Sequence, residues 1–166
     1  MIEAARDTST DVTLDLYLVG SGTPYFQRLA KLAQTTDRVA IHEPVPYAEL
    51  LPALNRYDVG LAVLAPTTFN LAWCLPNKFF DYIQARLGLI VGPSPEMVKY
   101  VERYRVGAVS ADFDAAALVE VLNGLTPEMV DGWKRNCDRH ARALSGEHQA
   151  TIWRDMVDEL AARPRT

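Results

Sequence analysis

The sequence predicts an α/β domain: a Rossmann-like, three-layer α/β/α arrangement around a mainly parallel sheet. Three observations predict it. Short apolar runs bounded by turn residues alternate with segments of helical periodicity. Two of those runs, 59–65 and 87–91, are almost wholly apolar, as strands covered on both faces must be. The pairs Thr23-Pro24, Ser94-Pro95 and Thr126-Pro127 each place a capping side chain before a proline suited to a first helical turn.

In chain order, residues 14–19 form the first strand and end at Gly20. Thr23 caps the next helix, in which Phe26, Leu29, Ala30 and Ala33 recur at helical spacing. A short strand at 39–42 is followed by Pro44 and Pro46, and then by a helix marked by Leu50, Leu51 and Leu54 up to about Arg56. The apolar strand 59–65 leads into a long connection, 66–76, and a helix over 77–85. Strand 87–91 precedes a helix bearing Met97, Val98 and Val101; 106–110 reads as a fifth strand, and Asp114 caps a helix carrying Leu118, Val119 and Leu122. Thr126 opens a helical region to about Leu144. Ile152, Trp153, Met156, Val157 and Leu160 then form the stripe of a terminal amphipathic helix. The domain is therefore expected over 1–146, with 147–166 packed on it or on another lobe. Right-handed crossovers place every strand-to-helix loop at one carboxyl rim, where function is expected.

Composition narrows the function. With 49% hydrophobic and 23% charged residues among 166, the chain can build one sizeable core. Its 17 Lys and Arg are scattered among 21 Asp and Glu, with no basic stripe, which argues against nucleic acid as a partner. Cys74 and Cys137 are too few for a disulfide framework and fit a reducing cytoplasm. Residues 1–15 carry Glu3, Asp7, Asp11 and Asp15 and read as no signal peptide. No run approaches the roughly 20 apolar residues needed to cross a bilayer, so any membrane association is expected to be peripheral. His140, His148 and Cys137 do not make a complete metal-ligand set, and no metal site is expected.

Several segments carry a resemblance: 16–22 (Leu-Tyr-Leu-Val-Gly-Ser-Gly), Val39-Ala40-Ile41, Tyr47-Ala48-Glu49-Leu50, Tyr57-Asp58-Val59-Gly60-Leu61, and 76–82 (Pro-Asn-Lys-Phe-Phe-Asp-Tyr). Over 11–125 the ordered set resembles the donor-nucleotide-binding C-terminal domain of GT-B glycosyltransferases, and within them the large retaining group called family 4. The resemblance implies the donor half of an enzyme that moves a sugar, with retention, from a nucleotide-diphosphate sugar to an acceptor hydroxyl. It implies no cofactor beyond that donor substrate. It also implies a separate N-terminal acceptor-binding lobe, an isolated chain with little or no turnover, and a cytoplasmic setting at the inner face of the membrane.

Departures are visible. The family's pair of Glu residues eight positions apart becomes Trp73 and Asp81, Gly88-Leu89 replaces a Gly-Pro pair, and Glu43 stands where glycine is frequent. The Arg and Lys that such enzymes aim at the diphosphate come from an earlier strand-helix unit.

The binding residues follow from chemistry. Gly20, Ser21, Gly22 and Thr23 form a turn that lets a phosphate approach free N–H groups at a helix start, or a plain strand-to-helix turn. Asp81 is the acceptor for ribose hydroxyls or a surface acid of its helix, and Lys78 the cation for a phosphate or a solvent-exposed side chain. Lys78 stands in a first helical turn, where the macrodipole disfavours a cation. Asn77 caps the same helix or recognises sugar; Thr67, Thr68 and Asn70 offer polar groups from the long loop. His42 closes the second strand at the rim, and Trp73 covers a pocket or packs. The Gly20 turn and Asp81 are expected to face one cleft. No residue is assigned a catalytic role. A dinucleotide fingerprint would need glycine at position 25, where Tyr25 stands, although Glu43 lies where a ribose-binding acid would. An NAD domain, a sugar-nucleotide epimerase and a non-catalytic binding or assembly module remain the alternatives.

Overall fold

The computed structural model describes residues 1–20 and 22–162. In chain order the elements are α1 (Ile2–Asp7), β1 (Leu14–Tyr17), α2 (Pro24–Ala33), β2 (Val39–His42), α3 (Tyr47–Leu54), β3 (Val59–Ala62), α4 (Phe69–Trp73), α5 (Asn77–Gln84), β4 (Gly88–Val91), α6 (Pro95–Tyr104), β5 (Gly107–Val109), α7 (Ala115–Asn123), α8 (Pro127–His140) and α9 (Gly146–Ala162). Helices α2, α4, α7 and α8 begin where the sequence supplies a side-chain acceptor for a free N–H. Thr23 Oγ1 accepts from the Phe26 amide at 3.1 Å, Asp114 Oδ1 from Ala117 at 2.7 Å and Thr126 Oγ1 from Met129 at 3.3 Å. The cap expected of Asn77 is absent: Pro76 is the N-cap of α5, with no side-chain bond, and Asn77 is the first helical residue. Ser94 caps α6 in position only, its hydroxyl buried without a partner among the described residues.

Strand β1 stops at Tyr17 and β3 at Ala62, shorter than their apolar runs. Two helices were not legible. In α1 the signal is only Ile2, Ala4 and Ala5, which are buried. In α4 a single turn, capped by Thr68, interrupts the long loop.

All strand pairs are parallel, confirming a Rossmann-like α/β fold, but the ladder is divided: β1 pairs with β2, and β3-β4-β5 form a second group. Crossovers going from β1 to β2 and those going from β3 toward β5 move in opposite directions across the fold. This puts α2 on one face, with α1 and α7, and α5 and α6 on the other, with α8. Because β1 and β3 line one cavity between them, the order reverses there, and among the described residues no backbone hydrogen bond joins the two strands.

Strand β4 anchors the core, and every one of its residues is buried. Leu89 and Val91 point into a cluster with Phe79 and Ile83 of α5 and Met97 and Val101 of α6, while Ile90 points the other way to Ala4, Leu118 and Leu122. Full burial of each such side chain stabilises by about 1.5–3 kcal/mol. The β1-β2 half has no fully buried strand residue. Among the described residues α9 lies apart from the core, its stripe exposed, with Trp153 at 65% and Leu160 at 60%. No helix among the described residues is long and apolar enough to cross a membrane.

Packing between β4 and β5 leaves no room for a side chain at Gly107, where a Cβ would lie 1.9 Å from the Leu89 carbonyl oxygen. Because that neighbour is backbone of the central strand, Gly107→Ala is expected to destabilise the fold by at least about 1–3 kcal/mol, measured by urea unfolding.

Candidate functional site

Helix α5 sorts its side chains by spacing. Phe79 and Ile83 are fully buried in the core, whereas Lys78, Asp81 and Tyr82, at i, i+3 and i+4, line a cavity of ≈ 820 Å³. Leu14 and Leu16 of β1, Leu18 just beyond it, and Val59 and Leu61 of β3 supply further walls, and Arg56 and Asp58 also line the space. Tyr82 reaches this position because Gly60 lies beneath its ring; a Cβ there would stand 2.3 Å from the ring carbons. The Tyr82 hydroxyl donates to the Leu61 carbonyl at 3.4 Å.

The carboxylate of Asp81 accepts no hydrogen bond and meets no cation among the described residues, and Lys78 likewise has no partner there. Partial burial in the cavity wall strips water from the Asp81 carboxylate and raises its pKa above the ordinary aspartate value. Burial also raises the Tyr82 phenol, with the nearby Asp81 charge adding to the effect. A half-buried anion and a cation one turn apart, both uncommitted, can bind a ligand that donates to one and carries negative charge toward the other.

Beside them stands a polar group that the sequence reading did not assemble. Asp15 and Tyr17 of β1 share a sheet face with His42, the register partner of Tyr17 on β2. His42 donates through Nε2 to Asp15 Oδ1 and stacks on the Tyr17 ring, with centroids 5.0 Å apart. The Tyr17 and Tyr57 hydroxyls are hydrogen-bonded at 2.8 Å. The Tyr57 phenol is pushed up to about 12, first by lost hydration and then by the bond to Tyr17 and the Asp15 charge. The available signal was the strict alternation of Leu14, Leu16 and Leu18 with Asp15 and Tyr17: a strand with one apolar and one polar face.

The single cleft expected of Gly20 and Asp81 is divided. Gly20, at φ +94°, lines a smaller cavity of ≈ 320 Å³ together with Phe26, His42 and Glu43, and Leu18 forms a wall common to both spaces. Of the predicted binding residues, Lys78 and Asp81 come together and Gly20 opens next door. Gly22 is exposed, with nothing near its Cβ position. The Thr23 hydroxyl is engaged in its turn, donating to Gly20 O at 2.9 Å and capping α2. Thr67 and Asn77 are exposed and line neither cavity. Ser21 lies outside the described residues. Trp73 is 51% exposed beside Phe69, at a centroid distance of 6.4 Å, and covers neither space.

No protein-family model matches the chain, and no curated protein matches it.

The raised pKa of Asp81 has a signed consequence for stability. Folding favours the protonated carboxyl, so the ionised group opposes folding increasingly as pH rises from the unfolded-state value through the higher folded value. Asp81→Asn is therefore expected to raise the thermal midpoint at pH 7, with the advantage shrinking as pH falls toward 4; thermal unfolding followed across that range checks the sign.

Proposed function

We propose that the chain is the donor-binding half of a glycosyltransferase that takes a sugar from a nucleotide-diphosphate sugar and passes it to an acceptor hydroxyl with retention. The observation that carries this reading is the uncommitted, half-buried Asp81 one helical turn from the uncommitted Lys78, in a cavity where the strand order reverses. Open α/β sheets bind nucleotides at such a reversal. In this reading Asp81 accepts hydrogen bonds from the ribose hydroxyls, and Lys78 draws the diphosphate toward the amino end of α5, where the helix dipole adds to the attraction. The departing phosphate is stabilised electrostatically, and the acceptor hydroxyl is held by a partner lobe. A cytoplasmic setting at the inner face of a membrane belongs to the same proposal.

A non-catalytic binding or assembly module is the second reading. It is favoured by the exposed apolar stripe of α9 and by exposed Phe69 and Trp73, which offer contact area away from the cavity.

Calorimetric titration of the chain with uridine, guanosine and adenosine diphosphates tests the first reading. One of the three is expected to bind, and Asp81→Asn or Lys78→Ala is expected to weaken it at least about tenfold, in keeping with the 1.5–3 kcal/mol of a hydrogen bond to a charged group. The unaltered chain alone is expected to transfer little or no sugar. Binding that ignores both substitutions, or no binding of any of the three, contradicts the assignment.

A further inference from the structure

Every residue of α9 is exposed, although Ile152, Trp153, Met156, Val157 and Leu160 form an apolar stripe along it. A lone helix of that length is marginal in water, because helices draw most of their stability from packing an apolar face. The stripe therefore needs a cover. The rest of the helix restricts what that cover is: Glu147, Asp155, Asp158 and Glu159 stand against Arg154, so α9 carries an excess of negative charge. Helices that lie in a membrane surface carry Lys and Arg on their polar face instead, and an anionic bilayer would repel this one.

A surface of the opposite character adjoins the root of α9. Phe80, Tyr100, Tyr104 and His140 form a run of ring contacts at centroid distances of 6.3, 5.8 and 4.9 Å, and His140 is the last residue of α8 before the turn into α9. Lys99 and Arg103 lie one turn apart on α6 and are exposed; Lys99 meets Glu96 at 3.8 Å, and the Arg103 guanidinium stands 5.4 Å from the centre of the Tyr104 ring. Arg105, Arg139 and Arg142 add exposed cations at the same end. The exposed acids within 99–105 and 138–142 are Glu102 and Asp138, and Asp138 is paired with Arg86 at 2.8 Å. Helix α4 packs against α6 and contributes apolar area through Phe69, 82% exposed, beside the half-exposed Trp73. The receiving face is thus aromatic with a basic rim, and α9 is aliphatic with an acidic back.

We infer that two copies of the chain exchange their α9 helices, the stripe of each lying on the α4 and α6 face of the other with its acids beside Lys99 and Arg103. The helix and the face that receives it meet at one end of the molecule, where His140 contacts Tyr104. A twofold axis passing there closes the exchange into a dimer and leaves no open end for further copies. Both stripes and both receiving faces are covered at once, which doubles the contact that a single helix makes; specific interfaces bury roughly 800 Å² per partner. The exchange uses neither cavity and stands whether or not a nucleotide binds.

Sedimentation velocity of the full chain over a range of concentrations tests the exchange. A reversible dimer of twice the 18.5 kDa chain mass is expected, weakened by added salt. Trp153→Asp with Leu160→Asp spoils the donated helix, and Lys99→Glu with Arg103→Glu repels it. All four positions are exposed, and each pair is expected to weaken dimerisation at least about tenfold. The two variants are then mixed. The intact helix of the second still fits the intact face of the first, so a heterodimer is expected from two preparations that are each monomeric, weaker than the parent dimer because one contact replaces two. A monomer at every concentration, a dimer indifferent to the Lys99 and Arg103 pair, as helix-to-helix pairing of α9 alone would give, or no heterodimer in the mixture would overturn the inference. So would a chain that stays monomeric and floats with vesicles of phosphatidylcholine and phosphatidylglycerol.

Discussion

The break in the sheet between β1 and β3 is the constraint on which the rest of the structure depends. Strand β4 has neighbours on both sides and helices on both faces, so its half of the molecule is a dense core. Strands β1 and β2 have one partner each and no fully buried residue. The larger cavity exists because the chain passes β1 on its way from β2 to β3 without pairing to it. The same reversal brings the first turns of α5 over this space, so the position of Lys78 and Asp81 follows from topology rather than from a local loop.

Within that frame electrostatics distinguishes residues that are structurally satisfied from those that are not. Thr23, Asp114 and Thr126 spend their oxygens on helix ends. Asp15 is matched by His42, and Lys134 and Arg86 are matched by Asp58 and Asp138. Asp81 is different: it pays a desolvation cost with nothing in the described chain to offset it. Unoffset burial of a carboxylate is characteristic of sites shaped for a ligand, since function tolerates local instability where the core does not. The cations Arg28, Lys31 and Arg103 stand on exposed helix faces and raise no comparable question.

Much of the fold was legible because its signals are local and strong. The all-apolar runs at β3 and β4 announce two-sided burial, and the Thr-Pro pairs announce helix starts that the structure places within a residue of expectation. What escaped was non-local or faint. Ile2, Ala4 and Ala5 in α1 are too few to carry a period. The division of the sheet depends on pairing between distant strands, which hydrophobic pattern does not encode. For the site, Lys78 and Asp81 could be placed together because i, i+3 spacing on a helix is a sequence property. Whether Gly20 shared their cavity depended on the course of Leu18 through the sheet, and Asn77 lost its capping role to the backbone position of Pro76. The Asp15-Tyr17-His42-Tyr57 group joins three separate segments, and only its β1 half left a trace in the pattern.

The central claim is that the half-buried carboxylate of Asp81 and the ammonium of Lys78 are held open for a ribosyl diphosphate at the reversal of strand order. Backbone chemical-shift mapping on the isotopically labelled chain, during titration with uridine, guanosine and adenosine diphosphates in turn, tests it most directly. The account predicts that the nucleotide that binds produces its largest, saturable changes at 78–82 and at Asp15 to Tyr17. Changes confined to 22–26 and 42–44, around the smaller cavity, or no saturable change with any of the three, would contradict it.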